Sequence, residues 1–168
     1  MNRHEGSDQD VTDQDRAFMR LAIQEMKKAG LIEKTGGPFG AVIVLDGAVI
    51  ASAGNRVIQD NDPTAHAEIN AIRSACRKLG TYDLTGAILY SSGECCPMCY
   101  AAAYWARIGR IFYAADWKDC ADFYDDERLA QDMIKPYHQR ALTPRQILQG
   151  EAQTVCQAFR NIPDGARY

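Results

Sequence analysis

The chain has 168 residues, 46% of them hydrophobic, enough to bury one sizeable core and too few for two ordinary domains. With 19 Lys and Arg against 22 Asp and Glu, its net charge of −3 argues against a protein built to wrap an anionic backbone and favours a small substrate. The first thirty residues are polar and acidic and no apolar run reaches bilayer length, so neither a signal peptide nor a membrane span is read and a cytoplasmic location is expected.

Residues 1–12 hold few apolar side chains and read as a loose arm, with 13–168 as a single domain. Phe18, Ala22, Met26 and Ala29 recur at helical spacing from Asp13 onward, and Gly30 is the expected stop. "GGPFG" (36–40) is a turn. Two apolar runs then flank Asp46-Gly47, the dipeptide of a two-residue hairpin, so two antiparallel strands follow. Asp62-Pro63 is expected to open a second helix that buries Ala65, Ile69, Ile72, Cys76 and Leu79. Short β-branched and aromatic runs at 87–91 and 110–114 read as further strands, alternating with helices. Residues 126–135 are read as a short helix ended by Pro136, and Thr143-Pro144 as the cap of a last one running to about Asn161.

Two helix starts carry the chemistry. "PTAHAEINAIR" places His66 and Glu68 on opposite flanks of the apolar stripe, both in the first two turns of their helix. "GECCPMCYAA" puts Pro97 at a first helical position, which makes Cys96 the cap and Cys99 the third residue of the helix, so the two sulfurs share a face. Free N–H groups at a helix start favour thiolate, and zinc binds thiolates. One imidazole and two thiolates are the ligand count of a catalytic zinc site that leaves a fourth position to water. A Cys-x-x-Cys redox pair would leave His66 and Glu68 without a purpose. A closed structural site would need a fourth ligand; Cys95 is the residue to test, although neighbours in extended chain point apart. Of the other cysteines, Cys76 and Cys156 read as core, and Cys120 lies in a loop.

His-Ala-Glu followed by Cys-Pro-Met-Cys resembles the zinc-dependent cytidine-deaminase-fold superfamily, whose His-x-Glu and Pro-Cys-x-x-Cys signature belongs to nucleobase deaminases. The resemblance runs from about Asp15 to the C-terminus. "GGPFGAVIV", "NDPTAHAEINAIR", "CPMCYAAAYWARI" and "IFYAA" are most similar to bacterial guanine deaminases within it. One departure is plain, since Cys95 stands where the family usually has proline. The resemblance implies an α/β fold, a three-layer α/β/α sandwich with a mixed five-stranded sheet.

It also implies one Zn2+ per subunit on His66, Cys96 and Cys99, with Glu68 carrying protons between water, the ring and the departing amine. Asn55 is implied as a hydrogen-bonding partner of the base, Phe39 as an aromatic that stacks on it, and the Ala67 N–H as a support near the metal. "FYDDERL" (123–129) resembles a stretch that supplies a second carboxylate, Asp126, with Asp125 the near alternative. Glu94 matches a frequent family residue of no derived role. Tyr168 stands where the family places a terminal tyrosine over the partner's purine, so 162–168 is expected to be exchanged in a homodimer. The expected activity is hydrolytic deamination of a free purine, guanine to xanthine and ammonia, with no nucleic-acid or membrane partner. The alternatives are a tRNA adenosine deaminase, a deaminase of nucleosides or another aminated heterocycle, or a zinc-stabilised binding protein without turnover.

Overall fold

The computed structural model describes residues 11–122 and 124–166. Thr12 caps the first helix: its hydroxyl accepts from the Asp15 N–H at 3.1 Å, and the Asp15 carboxylate accepts from the Thr12 N–H at 2.8 Å. Asp15 also accepts from the Tyr90 hydroxyl at 2.5 Å, which ties the helix start to the sheet. These bonds, Thr12's first and Tyr90's second, hold the Asp15 carboxyl below the usual carboxylate range. The helix, α1 (Asp13–Lys27), continues as a π turn over Lys28–Ile32, so Gly30 lies inside the element and is not its stop. A Cβ on Gly30 would lie 2.6 Å from the Pro38 Cα, so glycine there admits the close approach of the following turn.

β1 (Gly40–Leu45) and β2 (Ala48–Gly54) form the expected hairpin, and Asp46 and Gly47 both take positive φ, 51° and 75°, as a two-residue turn of this hand requires. After the single turn α2 (Val57–Asp60) come α3 (Ala67–Leu79), β3 (Ile88–Gly93), α4 (Pro97–Trp105) and β4 (Arg110–Ala115). A 3₁₀ turn over Trp117–Cys120 and α5 (Asp126–Met133) follow. The sheet order is β2-β1-β3-β4, antiparallel in its first two pairings and parallel between β3 and β4.

Among the described residues this mixed sheet has four strands, which corrects the five implied by resemblance. Beyond Ala115 the chain turns at once into a capping box on Asp116. The later apolar residues, such as Ile134, Leu142 and Ile147, stand exposed and spaced apart, with Pro136 and Pro144 between them, and offer no alternating run to pair with β4.

The strand period of two sorts β1 between two cores. Val42 and Val44 pack with Ala22 of α1 and with Tyr90, while Ala41 and Ile43 pack with Ala71, Ile72 and Ala75 of α3 and Ala103 of α4. β1 is thus buried on both faces, which is why "AVIV" reads as a continuous apolar run. α1 covers one face and α3 with α4 the other, giving the three layers.

By its contacts the chain falls into two compact units, one up to Ala130 and one from Gln131. In the second, the Asp132 carboxylate accepts from the Lys135 ammonium at 3.0 Å and the Ala141 N–H at 3.1 Å, and Arg140 sits over the Tyr137 ring at 4.4 Å. Its helix α6 spans Gln149–Arg160 rather than starting at Thr143-Pro144; the chain stays irregular until Leu148, the residue before α6, which takes the left-handed conformation. Cys156 on α6 is exposed, which corrects its reading as core. Among the described residues no helix is long and apolar enough to cross a membrane.

Candidate active site

Sheet topology gathers the chemistry at one edge. β1 begins at Gly40, paired with Gly54 where β2 ends, and Ala41 faces Ser91 near the end of β3, while Gly93 faces Ala115 at the end of β4. Phe39, Asn55, the Glu94–Cys96 turn and the segment after Ala115 therefore leave the sheet at the same end. The N-termini of α3 and α4 meet there.

α3 opens four residues later than the Asp62-Pro63 signal suggests. The Asp62 Oδ1 accepts from the Thr64 N–H at 2.8 Å and the Thr64 hydroxyl at 2.7 Å, so the aspartate closes its own turn instead of capping the helix. The cap is His66 itself, with extended backbone at φ −65° and ψ 155°, and Glu68 is the second helical residue. Cys96 caps α4 in the same conformation, φ −65° and ψ 164°, with Pro97 at the first helical position as expected. Its sulfur accepts from the Cys99 N–H at 3.5 Å.

The two helix starts bring three ligand atoms together. The His66 Nδ1 lies 3.7 Å from the Cys96 Sγ and 3.5 Å from the Cys99 Sγ, and all three atoms lie within 4.8 Å of one another. Tetrahedral zinc with Zn–S of about 2.3 Å and Zn–N of about 2.0 Å sets sulfur and nitrogen about 3.5 Å apart, so the spacing and the donor types both fit that ion. Among the described residues these three are the one such group; Cys95 is outside it, packed against Ile69 and its neighbours, and burial pushes its thiol up.

Charge in the cluster follows from its hydrogen bonds. A bond from Cys99, reinforced by His66, lowers the Cys96 thiol to about 4, and that thiolate in turn raises the His66 imidazole. The proton donated to Cys96 is correspondingly hard to remove from Cys99. Glu68 is 5% exposed, and burial raises its carboxyl. Its Oε1 accepts from the Ser91 hydroxyl at 3.0 Å, and its Oε2 lies 3.5 Å from the Cys99 Sγ.

Asn55 is buried and fixed by three bonds: its N–H donates to the Phe39 carbonyl at 3.0 Å, its carbonyl accepts from the Thr35 hydroxyl at 2.6 Å, and its Oδ1 accepts from the Val57 N–H at 3.1 Å. With Oδ1 committed, the amide's N–H2 is its donor end. Phe39 packs beside Gly93 and meets the Tyr124 ring at 4.7 Å. Ala67 begins α3, so its N–H is one of the helix-start donors. Asp126 is half-buried, and burial, then the Cys96 charge, raise its carboxyl. Asp125 is exposed and caps α5, accepting from the Arg128 N–H at 3.3 Å. Tyr168 lies outside the described residues.

Two contributors, Ser91 and Tyr124, are not singled out by the sequence, and a third, Glu94, stands there without a role. Ser91 orients Glu68, and the only signal was a pair of serines inside a buried strand. Glu94 acts on Trp117, whose ring N–H donates to the Glu94 carbonyl at 3.2 Å and whose backbone N–H donates to the Glu94 Oε2 at 3.4 Å. Tyr124 was read only as part of an acidic turn. Cys95→Pro restores the family's residue ahead of the α4 cap and is expected to keep a full equivalent of zinc by metal analysis; loss of the metal would make Cys95 a ligand and the site a closed one.

A buried carboxylate beside a His-Cys-Cys cluster at the ends of two helices, over a mixed sheet, defines a zinc-dependent deaminase fold. Residues 12–115 match the model of the cytidine and deoxycytidylate deaminase zinc-binding region, and the chain belongs to that family. It is 48% identical over 152 residues to the guanine deaminase of Bacillus subtilis, covering 90% of this chain and 97% of that one. The X-ray structure of the Bacillus subtilis guanine deaminase superposes with a TM-score of 0.87 at 44% identity, over 91% of this chain and 98% of that one. The tRNA-specific adenosine deaminase of Agrobacterium fabrum is 54% identical over 98 residues, 58% of this chain and 63% of that one.

Proposed function

We propose that this chain removes the exocyclic amino group of a free purine by hydrolysis, converting guanine and water to xanthine and ammonia. The observation that carries the reading is the buried Glu68 carboxylate held by Ser91 against the three-donor cluster. Likeness along nearly the whole chain to a guanine deaminase supports guanine over other rings. His66, Cys96 and Cys99 would hold one zinc per chain, which would supply a Lewis acid able to make a nucleophile of water at neutral pH.

Glu68 takes a proton from the attacking water. Burial favours its protonated form, so it hands that proton to the ring nitrogen as the water oxygen bonds to C2; it then takes the second proton, from the hydroxyl now on C2, and delivers it to the amino group, whose bond to C2 breaks as ammonia leaves. The Ser91 hydroxyl keeps Oε1 in place and leaves Oε2 as the oxygen that shuttles. The Asn55 N–H2 end donates to an acceptor on the base, Phe39 stacks on its face, and the Ala67 N–H supports it near the metal. Asp126 is the second proton carrier; its half-burial fits that role, while Asp125 serves the helix.

The protein works as a cytoplasmic homodimer that exchanges residues 162–168, placing Tyr168 over the partner's purine. Exposed Ile134, Leu142, Ile147 and Val155 in the unit after Gln131 support this, because apolar surface of that extent favours a cover. Deleting 164–168 is expected to leave a folded, zinc-loaded chain whose guanine turnover falls at least about tenfold, the loss of roughly one hydrogen-bonding contact. Equal rates in the truncated and full chains would remove the lid from the mechanism.

The higher local identity to a tRNA-specific adenosine deaminase favours a second reading, deamination of adenosine in tRNA. That likeness covers 58% of this chain against 90% for the guanine deaminase, and the net charge is the wrong sign for an RNA surface. Ammonia release from guanine, adenine, cytosine, their nucleosides and tRNA decides between them. Guanine is expected to lead; a preference for tRNA would replace the first reading by the second.

A further inference from the structure

Asp126 is the first residue of α5, a helix of eight residues with none buried. Glu127, Arg128 and Leu129 of α5 are exposed, and the Arg128 and Leu129 N–H groups donate to Asp125. Yet the Asp126 carboxyl is half-buried and close enough to His66 and Cys96 for their charges to act on it. A group two residues upstream accounts for this.

The Tyr124 ring meets Phe39 edge to face, with centroids 4.7 Å apart and planes at 71°. Its hydroxyl end lies against the Gly36-Gly37 turn: a Cβ built on Gly37 would fall 1.7 Å from the Tyr124 Oη and 2.6 Å from its Cζ. Gly37 is not among the glycines at positive φ, so its backbone would accept any L residue, and what requires glycine there is the space that Tyr124 fills. The neighbouring Gly36 is bare for the parallel reason, since a Cβ on it would fall 2.0 Å from the Asn55 Oδ1. The turn therefore lies flat between the amide of Asn55 on one side and the phenol of Tyr124 on the other. The Tyr124 N–H donates to the Cys120 carbonyl at 3.0 Å, at the end of the 3₁₀ turn that Trp117 fastens to Glu94.

We propose that Tyr124 is a positioning residue: its ring clasps the segment carrying Asp126 onto Phe39 and the bare Gly37 seat, and so sets the second carboxylate against the stacking wall. The proposal rests on the reading of Asp126 as a proton carrier. Such a carrier must sit within hydrogen-bonding reach of its target, and a displacement of about 1 Å can cost about a hundredfold in rate. An aromatic ring suits the task because two side-chain torsions define its position completely.

The test uses the full, zinc-loaded chain and reads hydrogen exchange and guanine kinetics in the same proteins. Tyr124→Ala and Gly37→Ala are each expected to raise amide exchange over 124–130 at least about tenfold, leaving α3 and the zinc content as in the wild type. Both should lower kcat by about thirtyfold or more, while Tyr124→Phe, which keeps the ring, stays within about threefold in both readouts. In an Asp126→Asn background, adding Tyr124→Ala should cost less than about a further threefold, because a residue acting through another loses its effect when that other is gone. Unchanged exchange in Gly37→Ala and Tyr124→Ala overturns the clasp, and so do kinetic losses that multiply in the double variant. A wild-type chain inert toward guanine would overturn the proposed function instead, and exchange would still decide whether Tyr124 holds the segment. Gly37→Ala keeps the test available should Tyr124→Ala fail to fold, since it fills the seat without removing a core side chain.

Discussion

Glu68→Gln is expected to lower kcat for deamination by a factor of about 10³ to 10⁴ while the zinc content stays at one equivalent. The glutamine amide has the shape of the carboxyl, and its oxygen can still accept from Ser91, so the start of α3 has no reason to rearrange. What disappears is a group able to take a proton from water and return it to the ring and the leaving amine. The magnitude is the upper part of the range for removing a single general acid or base, apt here because one carboxylate serves more than one transfer. Metal analysis together with ammonia release checks it. A variant that keeps more than about a tenth of wild-type turnover would take Glu68 out of the proton path, and one that loses zinc as well would make it a ligand.

Cys99→Ala and His66→Ala are expected to lose zinc and activity together. Removing either leaves two ligands of three in a cluster whose atoms now lie within 4.8 Å of one another. Cys99 is fully buried and its replacement is small and apolar, so loss of packing alone would not empty the site. Wild-type protein should gain thermal stability as zinc is added, following the concentration of ion over its dissociation constant, whereas both variants should show no such gain. A full equivalent of zinc retained by both would sink the ligand assignment.

Features set by neighbours within about four residues were legible before any fold was known. Asp46-Gly47 turns the hairpin because both positions need positive φ, and Pro97 starts α4 with Cys96 as its cap because proline's missing N–H costs nothing there. The same short reach places Cys96 and Cys99 on one face and puts His66 and Glu68 together at a helix start.

Where a local signal had two possible partners, tertiary or near-local competition decided. Asp62 bonded Thr64 and moved the start of α3 to Ala67, and Gly30, a credible stop, was kept bare by Pro38. Cys156 has the periodicity of a core residue on an amphipathic helix, but periodicity shows only that a helix has an apolar face, not that its own chain covers it. The sheet's end at β4 was likewise invisible to resemblance, because pairing needs a second strand of matching pattern at the right place in space.

The composition of the site, one histidine, two cysteines and a glutamate with helix-start punctuation, was thus determined by the sequence. Its geometry was not. His66 and Cys99 stand 33 residues apart, and Glu68 and Ser91 stand 23 apart; they meet only because β3 runs antiparallel to β1 in the register that sets Ser91 opposite Ala41. A slip of one residue would turn Ser91 to the other face of the sheet, and the Tyr124 seat on Gly37 depends on the same register through Phe39. Contacts at such separations depend on strand pairing and core packing across the whole unit, which no window of sequence contains.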